Sequence, residues 1–338
     1  MIRFLAVTMG DCSGVSPELL LKALNKGKYG SFGGVIVVGD EGVFRKVSAD
    51  LNLEMPFTAF VETKEQLKEA QEEGELYIFY NLPLIDLSRF EYGNYSSQTG
   101  EATYACTKKA IELIQNGYAC ALVTMPLDGR ALSLAGHRET NYEQMLYSFS
   151  SHDTSLRMLD TMGVKIFTHT SQIPIKQALE SITYEKVLDT IIQVDAVTSN
   201  QFVFDQLQPI GISTINPHHE DSTSYGEEEN IAIIPAIETA KRIGINIVGP
   251  IESHHLVHGA KEGNYRAIIT LCYEQAIIAS TSCNFYKTIL VIWGWPFLVV
   301  GFDRGPMMDI AGKCIANAEG ALQALEVAYS YVQIGVNS

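Results

Sequence analysis

The sequence has little positive charge. Its 24 Lys and Arg residues stand against 39 Asp and Glu residues, which gives a formal net charge of −15 at pH 7. Nucleic acids and anionic membrane surfaces are bound through clustered Lys and Arg side chains. The composition therefore argues against both as partners, while a small anionic substrate stays possible because one local basic pocket can bind it.

Paired cysteines and long hydrophobic runs are also lacking. The six cysteines form no C-x-x-C pair, which is typical of reduced thiols and predicts a cytoplasmic protein. The longest apolar run, residues 289–300, is interrupted by Gly294 and Pro296, so no membrane-spanning helix is expected. The N-terminal segment resembles a first strand and lacks the features of a signal peptide.

Short apolar runs alternate with helical patterns along the 338 residues. Strands are expected at residues 2–8, 34–39, 76–80, 119–124, 164–167, 210–215, 246–249 and 267–271. Helices are expected at residues 19–24, 62–73, 101–115, 173–193, 227–242 and 320–332. This alternation predicts an α/β fold with a mostly parallel sheet, and the length allows two lobes, each with its own core.

Two polar loops follow predicted strands. Residues 10–18 turn at glycines and enter a helix, with Ser16 as the expected N-cap and Pro17 in the first turn; they match neither the Rossmann nor the P-loop pattern. In residues 293–313 a hydrophobic run ends in a glycine turn, and residues 309–313 are expected to open a helix. This layout predicts an anion site at the carboxyl edge of a sheet, with an ordinary strand-to-helix connection as the alternative.

Four motifs occur in a fixed order. They are G-D-C-S-G-V-S-P-E at 10–18, T-M-P at 124–126 followed by Ala135-Gly136, N-P-H at 216–218 followed by G-E-E at 226–228, and D-R-G with D-I-A-G-K at 303–313. Together they resemble the motifs of 4-hydroxythreonine-4-phosphate dehydrogenase, the PdxA family of pyridoxal phosphate biosynthesis. The resemblance covers the chain from about residue 3 to about residue 330.

The resemblance implies a two-lobed α/β/α fold related to the isocitrate and isopropylmalate dehydrogenases, with the active site in a cleft between the lobes. Residues 1–125 plus 292–338 would form one lobe, and residues 126–291 the dimerisation and substrate side of a homodimer. Members of the family oxidise a secondary alcohol with NAD(P), and the β-keto acid then loses carbon dioxide. A divalent metal held by three histidines acts as the Lewis acid.

Two of the three metal-binding positions of the family differ in this sequence. Gln172 and Tyr273 stand at the first and third, and only His218 keeps the second. One imidazole is too few for a zinc site, which takes three or four N, S or carboxylate ligands. The sequence therefore predicts that the family-type metal is absent. Replacement ligands stay possible at His169, His219 and Glu274.

The substrate-binding positions of the family have changed as well. They are occupied here by Tyr142, Glu143, Thr281, Leu290 and Val299. A phosphate dianion needs paired Arg or Lys donors, so these residues predict a less anionic substrate and a more apolar pocket. Arg130 is adjacent to the position of a family lysine and is a possible replacement cation; a surface arginine is the alternative.

The cofactor loop of the family is partly kept. Its predicted NAD(P)-binding residues are Asp303, Arg304, Gly305, Asp309 and Lys313. Arg304 replaces a histidine on the adenine side. It would either favour the 2′-phosphate of NADP or pair with Asp303 and close the site.

Two further clusters contain titratable side chains. Residues 254–258 include three histidines in an expected polar loop, where His254 or His255 would act as a general acid or base or lie exposed without a role. Residues 218–221 (His-His-Glu-Asp) form the densest cluster on a family motif. The acidic residues 227–229 are expected to serve a helix N-terminus.

These departures favour a divergent enzyme of the family acting on a different, less anionic small molecule. The predicted catalytic residues are His218, Tyr273, Gln172 and Arg304. Three alternatives stay open: a non-redox cyclase, lyase or decarboxylase of a specialised pathway; the NAD(P)-dependent family reaction; and a binding protein without catalysis.

Overall fold

The computed structural model describes residues 2–27, 33–149, 155–199, 203–217, 226–302 and 304–334. The chain divides into two compact units. Unit 1 contains Met1–Ser155 and Gly294–Gln333, and unit 2 contains Leu156–Trp293.

The described residues form twelve strands. They are β1 (Phe4–Thr8), β2 (Gly34–Gly39), β3 (Ala59–Val61), β4 (Tyr77–Asn81), β5 (Ala121–Val123), β6 (Leu156–Thr161), β7 (Val164–Thr168), β8 (Ile210–Ser213), β9 (Ile247–Ile251), β10 (Ala267–Thr270), β11 (Ile289–Trp293) and β12 (Leu298–Gly301).

Twelve α-helices alternate with these strands in the described residues. They are α1 (Ser16–Lys26), α2 (Glu41–Leu51), α3 (Lys64–Glu72), α4 (Ser97–Gln115), α5 (Gly129–Leu134), α6 (Tyr142–Phe149), α7 (Ile175–Glu180), α8 (Tyr184–Ser199), α9 (Ile234–Arg242), α10 (Ser253–Lys261), α11 (Tyr273–Cys283) and α12 (Glu319–Ile334). A π-helical turn, Glu229–Ile233, precedes α9, and 3₁₀ turns occur at Leu87–Arg89 and Met308–Ile310.

The sheet of unit 1 has the strand order β3-β4-β2-β1-β5-β12. Every adjacent pair in it is parallel. All residues of β1 and β2 are buried, as expected for central strands covered by helices on both faces, and this is why their sequences are continuously apolar. The predicted parallel α/β arrangement is confirmed for this unit.

The sheet of unit 2 has the order β11-β6-β7-β10-β8-β9. Its four strands β7, β10, β8 and β9 are parallel, whereas β6 pairs antiparallel with both β11 and β7. A buried apolar cluster that includes Leu159, Ile166, Leu256 and Ile268 packs under this sheet. Because parallel strands begin and end together, the segments that follow β7, β8, β9 and β10 meet at one edge.

The division between the units differs from the one expected from the sequence, which placed the boundaries after residues 125 and 291. The observed boundaries follow Ser155 and Trp293. Residues beyond 125 stay with unit 1 because α5 packs closely on α4: a Cβ atom on Gly100 of α4 would lie 2.0 Å from the carbonyl oxygen of Ala131 in α5.

Several expected helix boundaries are corrected by the structure. Ser16 is the first residue of α1 and not its N-cap, because its hydroxyl donates to the carbonyl oxygen of Pro126 at 2.8 Å. The single helix expected over 173–193 is two helices, α7 and α8. Residues 309–313 do not open a helix either, since only the 3₁₀ turn Met308–Ile310 forms there and α12 begins at Glu319.

Candidate functional site

The glycine-containing loop after β1 packs against the loop after β12 in unit 1. The backbone N–H of Val15 donates to the carbonyl oxygen of Pro306 at 2.9 Å. A Cβ atom on Gly14 would lie 2.4 Å from the same oxygen, so only glycine permits this approach. The first and last family motifs therefore form one structure at the carboxyl ends of β1, β5 and β12.

Asp11 fixes the shape of the first loop from inside. Its Oδ1 accepts hydrogen bonds from the backbone N–H of Ser13 at 2.9 Å and from the Ser13 hydroxyl at 2.7 Å. Burial raises the pKa of this carboxyl above its ordinary value, against the lowering effect of the Ser13 bonds. The backbone N–H of Asp11 donates to the carbonyl oxygen of Pro126, which joins the loop to the segment after β5.

The predicted cofactor loop is held from the side of α1. Glu18, which is 2% exposed, accepts from the backbone N–H of Ala316 at 2.9 Å and from Lys22 Nζ at 2.6 Å. Lys22 Nζ also donates to the carbonyl oxygens of Cys314 and Ala316. This partly buried ion pair on α1 thus anchors the chain just beyond Lys313.

The predicted cofactor residues lie along this loop with different exposures. Gly305 is exposed, and no atom lies within 4 Å of the place where its Cβ would be. Lys313 is exposed and donates to the carbonyl oxygen of Asp309 at 2.6 Å, while Arg304 is half-buried. Asp303 lies outside the described residues. The open backbone at Gly305 and the adjacent cations fit the approach of an anionic nucleotide.

A cavity of about 480 Å³ lies beside this loop in unit 1. Its lining consists of Leu127, Asp128, Gly129, Arg130, Ser133, Thr140 and Pro306. Arg130 grips Asp128 with two bonds, Nε to Oδ1 at 3.0 Å and Nη2 to Oδ2 at 2.6 Å, and its guanidinium lies 4.2 Å from the Tyr95 ring centre. The Arg130 bonds hold the pKa of Asp128 below its usual range. The cavity therefore holds a neutralised ion pair and not a free cation.

The three predicted substrate-pocket residues of unit 1 have distinct environments. Tyr142 donates to the carbonyl oxygen of Met125 at 2.6 Å, and burial raises the pKa of its phenol. Glu143 accepts from the hydroxyl of Ser155 at 3.1 Å. Val299 is 1% exposed and lies in the packed interior. Each of these positions is occupied by a side chain already engaged with protein atoms.

In unit 2, Gln275 connects the chain segments that follow three parallel strands. Its Nε2 donates to the carbonyl oxygen of Thr214 at 3.0 Å and to the hydroxyl of Ser253 at 2.9 Å. Its Oε1 accepts from the backbone N–H groups of Leu271 and Cys272 at 3.0 and 3.2 Å. One amide side chain thus holds the ends of β8, β9 and β10 together, a role that no motif in the sequence indicated.

Two of the predicted catalytic residues, Gln172 and Tyr273, lie at this same edge of unit 2. Gln172 is exposed and follows β7, and Tyr273 is the half-buried first residue of α11, directly after β10. His218 and His219 lie outside the described residues. An amide and a phenol do not supply the imidazole donors of a family-type zinc site, so the described positions do not fit that metal.

His169 does not stand in for a missing metal ligand. Its Nδ1 is 2.8 Å from the Thr190 hydroxyl and its Nε2 is 3.2 Å from the carbonyl oxygen of Ser181. Burial lowers the pKa of its imidazole. Both ring nitrogens are used to hold α7 and α8 against the sheet.

The other predicted pocket positions of unit 2 are also engaged internally. The Thr281 hydroxyl donates to the carbonyl oxygen of Ile277 one turn earlier in α11, at 2.5 Å. Leu290 in β11 packs against the buried cluster under the sheet. These two residues lie in α11 and β11 of one unit, whereas Val299 and Tyr142 belong to the other.

The acidic residues Glu228 and Glu229 bond to the loop that follows β8. Glu229 is 2% exposed and accepts from the backbone N–H groups of Ile215 and Asn216 at 2.9 and 2.8 Å. Glu228 accepts from the Asn216 amide at 2.8 Å, and a backbone N–H bond together with this amide lowers the pKa of its carboxyl. Both hold the loop after β8, and Glu228 also accepts from backbone N–H groups at the start of the helical segment, as the sequence predicted.

Residues 254–258 are helical and not a polar loop as expected. They lie in α10, whose first turn presents His254 and His255 beside Glu252. Both imidazoles are exposed. The ligand atoms of these three residues lie within 4.8 Å of one another, a convergence that the expected loop did not predict.

Solved structures of known proteins define the class to which this fold belongs. A 4-hydroxythreonine-4-phosphate dehydrogenase from Burkholderia phymatum superposes with a TM-score of 0.80 at 26% identity, covering 98% of each chain. A second such enzyme, from Klebsiella pneumoniae, gives a TM-score of 0.85 at 24% identity, covering 98% of this chain and 99% of its own. The fold is therefore that of these dehydrogenases.

The family follows from the sequence match. The family model described as pyridoxal phosphate biosynthetic protein PdxA matches residues 32–328, so the chain belongs to the PdxA family. A protein of Fusobacterium nucleatum with the provisional name D-threonate 4-phosphate dehydrogenase is 28% identical over 327 residues, covering 97% of this chain and 96% of its own length. A protein of the same provisional name from Halalkalibacterium halodurans gives the same identity and coverage.

The remaining general expectations concern thiols and membrane spans. All six cysteines lie in the described residues, and none of them forms a disulfide there. Among the described residues, no helix is both long and apolar enough to cross a membrane.

Proposed function

We propose that this chain is an NAD(P)-dependent, dehydrogenase-like enzyme of the PdxA family that acts on a substrate less anionic than a phosphate ester. The observation that carries the proposal is the state of the substrate positions. Thr281 is bonded to its own helix, while Leu290 and Val299 are apolar and packed against core residues. None of these three side chains carries a charge that could balance a phosphate dianion.

The cofactor would be held by the loop after β12. Arg304, Gly305 and Lys313, with Asp303 and Asp309, would bind the nucleotide, and NAD(P) would supply the hydride acceptor. The exposed backbone at Gly305 leaves room for close approach of a phosphate. The cation at Arg304, at the adenine side of the family site, favours NADP over NAD.

Each unit contains candidate substrate-binding residues at positions that the family resemblance assigns. In unit 1, Arg130 lines the cavity and is exposed, so its guanidinium could donate to a hydroxyl or carbonyl group while it stays paired with the buried Asp128. Tyr142 and Glu143 complete that side. The candidates in unit 2 are Gln172 and Tyr273 as hydrogen-bonding groups, and His218 as the base that would accept the proton of a substrate hydroxyl. No step is assigned to a divalent metal at the family positions.

The location and assembly of the enzyme belong to the same proposal. The free thiols support a reducing, cytoplasmic environment. A homodimer is expected from the family resemblance. A small molecule, and neither nucleic acid nor membrane, is the expected partner.

A second candidate function has a specific observation in its favour. Relatives named for D-threonate 4-phosphate match 97% of this chain. Under that function the chain would oxidise a phosphorylated hydroxy acid with the help of ligands and cations outside the described residues. The non-redox and non-catalytic alternatives would apply if no nicotinamide nucleotide is bound.

The test separates these functions in two measurements. First, NAD⁺ and NADP⁺ are titrated by calorimetry into the wild type and into Arg304→Gln, with the exposed Arg89→Gln as the matched control. We expect micromolar NADP⁺ binding that weakens about tenfold or more in Arg304→Gln only. An absence of binding of either nucleotide would contradict a redox function.

Second, nucleotide reduction is followed with D-threonate 4-phosphate, 4-hydroxythreonine-4-phosphate and their unphosphorylated counterparts. A higher kcat/KM for an unphosphorylated substrate supports the proposal. A higher kcat/KM for either phosphate ester would overturn it in favour of the second candidate.

A further inference from the structure

Three metal-ligating side chains converge at the start of α10 in unit 2. Glu252 directly precedes the helix, and His254 and His255 lie in its first turn. One oxygen, Glu252 Oε2, is 3.6 Å from Nε2 of His254 and 3.7 Å from Nδ1 of His255. The two imidazole rings lie against each other, with centroids 4.0 Å apart and a tilt of 43°.

The distances between these ligand atoms approach the distances between the ligand atoms of a bound zinc ion. Zinc lies about 2.0–2.2 Å from imidazole nitrogen and carboxylate oxygen, so neighbouring ligand atoms in a tetrahedral site are about 3.3–3.6 Å apart. The two carboxylate-to-imidazole distances are already close to this value. All three ligand atoms lie within 4.8 Å of one another, and small side-chain rotations would bring the two nitrogens to the same spacing.

We propose that Glu252, His254 and His255 form a binding site for a transition-metal dication, with Zn²⁺ as the favoured ion. Two imidazoles and one carboxylate form a three-ligand set that leaves a fourth position for water or a substrate oxygen. Borderline-soft ions such as Zn²⁺, Co²⁺ and Ni²⁺ prefer this set over Mg²⁺, which binds oxygen ligands.

The backbone that carries the ligands is fixed by its surroundings. The backbone N–H of Leu256 donates to the carbonyl oxygen of Glu252 at 2.9 Å, and the Leu256 side chain is fully buried in the core of unit 2. The Ser253 hydroxyl accepts from Gln275 Nε2 at 2.9 Å. The exposed imidazoles therefore stand on a rigid segment, which lowers the ordering cost of binding.

The proposed site uses none of the family-type metal positions. It follows β9, whereas Gln172 follows β7 and Tyr273 follows β10, all at the same edge of the parallel strands. The proposed metal would be bound by residues that follow β9, whereas the described family ligand positions follow β7 and β10. Its binding can therefore be measured without reference to the dehydrogenase reaction.

The test uses full-length, tag-free protein stripped with a chelator. ZnCl₂ is titrated by calorimetry, and CoCl₂ is added to follow the visible absorption of tetrahedral cobalt. We expect one equivalent per chain, about 10–100-fold weaker binding in Glu252→Gln, His254→Ala and His255→Ala, and loss of the cobalt spectrum in the double variant His254→Ala/His255→Ala. His258→Ala, with an exposed imidazole on the same helix, is the matched control and should bind as the wild type does.

Two outcomes would overturn the site. One is zinc binding by the double variant with wild-type affinity. The other is a loss of binding in His218→Ala/His219→Ala while the His254→Ala/His255→Ala protein still binds, which would place the metal at the family motif. Urea unfolding of each variant is measured alongside, and the exposed positions of both histidines predict unchanged folding stability.

Discussion

The backbone N–H of Val15 donates a 2.9 Å hydrogen bond to the carbonyl oxygen of Pro306. This bond joins two motifs that are far apart in the sequence, and the adjacent Gly14 has no room for a side chain because the same oxygen occupies the place of a Cβ. The conformation of the proposed cofactor loop therefore depends on a glycine near the N-terminus.

Replacement of that glycine should strain the contact. In Gly14→Ala the new Cβ would meet backbone atoms of Pro306, which cannot rotate away, so we expect a loss of about 1–3 kcal/mol in the free energy of unfolding. Urea unfolding measures it. Gly305→Ala is the matched control within the loop, because no atom lies within 4 Å of its Cβ position. Equal stability of the two variants would contradict the role of Gly14.

The partly buried pair between Glu18 and Lys22 should be costly to break from one side. Lys22→Met leaves the Glu18 carboxylate buried without its cation, so we expect a loss of about 3–5 kcal/mol in the free energy of unfolding. The double variant Glu18→Gln/Lys22→Met should regain part of that loss. Lys46→Met, which breaks the more exposed pair with Asp50, should change stability by less than about 1 kcal/mol. A similar loss in Lys46→Met and Lys22→Met would argue against the anchor.

His169 should make stability depend on pH. Burial lowers the pKa of its imidazole in the folded protein, whereas the unfolded chain takes up the proton near pH 6.5. The folded state therefore binds fewer protons, so the contribution of this residue is present above about pH 6.5 and is lost as the pH falls toward the folded pKa. Urea unfolding between pH 7.5 and about 5.5 should show a shallower decline in His169→Gln than in the wild type. The exposed His258→Gln should follow the wild-type curve.

Gln275 should be difficult to replace, because it satisfies groups from three strand ends. Gln275→Leu leaves the N–H groups of Leu271 and Cys272 without this acceptor, so we expect a loss of about 2–4 kcal/mol in the free energy of unfolding. Because Ser253 also loses its donor, zinc binding at Glu252 and its neighbours should weaken in the same variant. Glu274→Ala changes the exposed adjacent residue and should leave both measurements unaltered.

Local pattern was enough to place many elements. The apolar runs that became β1, β2 and β10 are bounded by polar turns, and the pattern at residues 320–332 corresponds closely to α12. The four ordered motifs were enough to identify the family, which the match over residues 32–328 confirms. These features depend on neighbouring residues in the chain and on fixed motif order, both of which can be read from one sequence.

The sequence did not predict side-chain partners that are distant in the chain. Serine is a residue type favoured at helix N-caps, but the Ser16 hydroxyl donates to the carbonyl oxygen of Pro126 in the loop after β5. Glu229 is buried under the loop after β8 and accepts its backbone N–H groups. Both side chains bond to a part of the chain that is distant in sequence, which their local pattern did not indicate.

The sequence by itself determined the α/β class and the family, and it predicted that cationic and imidazole side chains are lost at the family's substrate and metal positions. These properties follow from residue identity alone. Only the tertiary structure decided that Gly14 admits the Pro306 backbone, that Gln275 joins three strand ends, and that Glu252 meets two imidazoles in the first turn of α10. A pattern of residues states which groups are available, whereas the distances between them are set only when strands and helices pack.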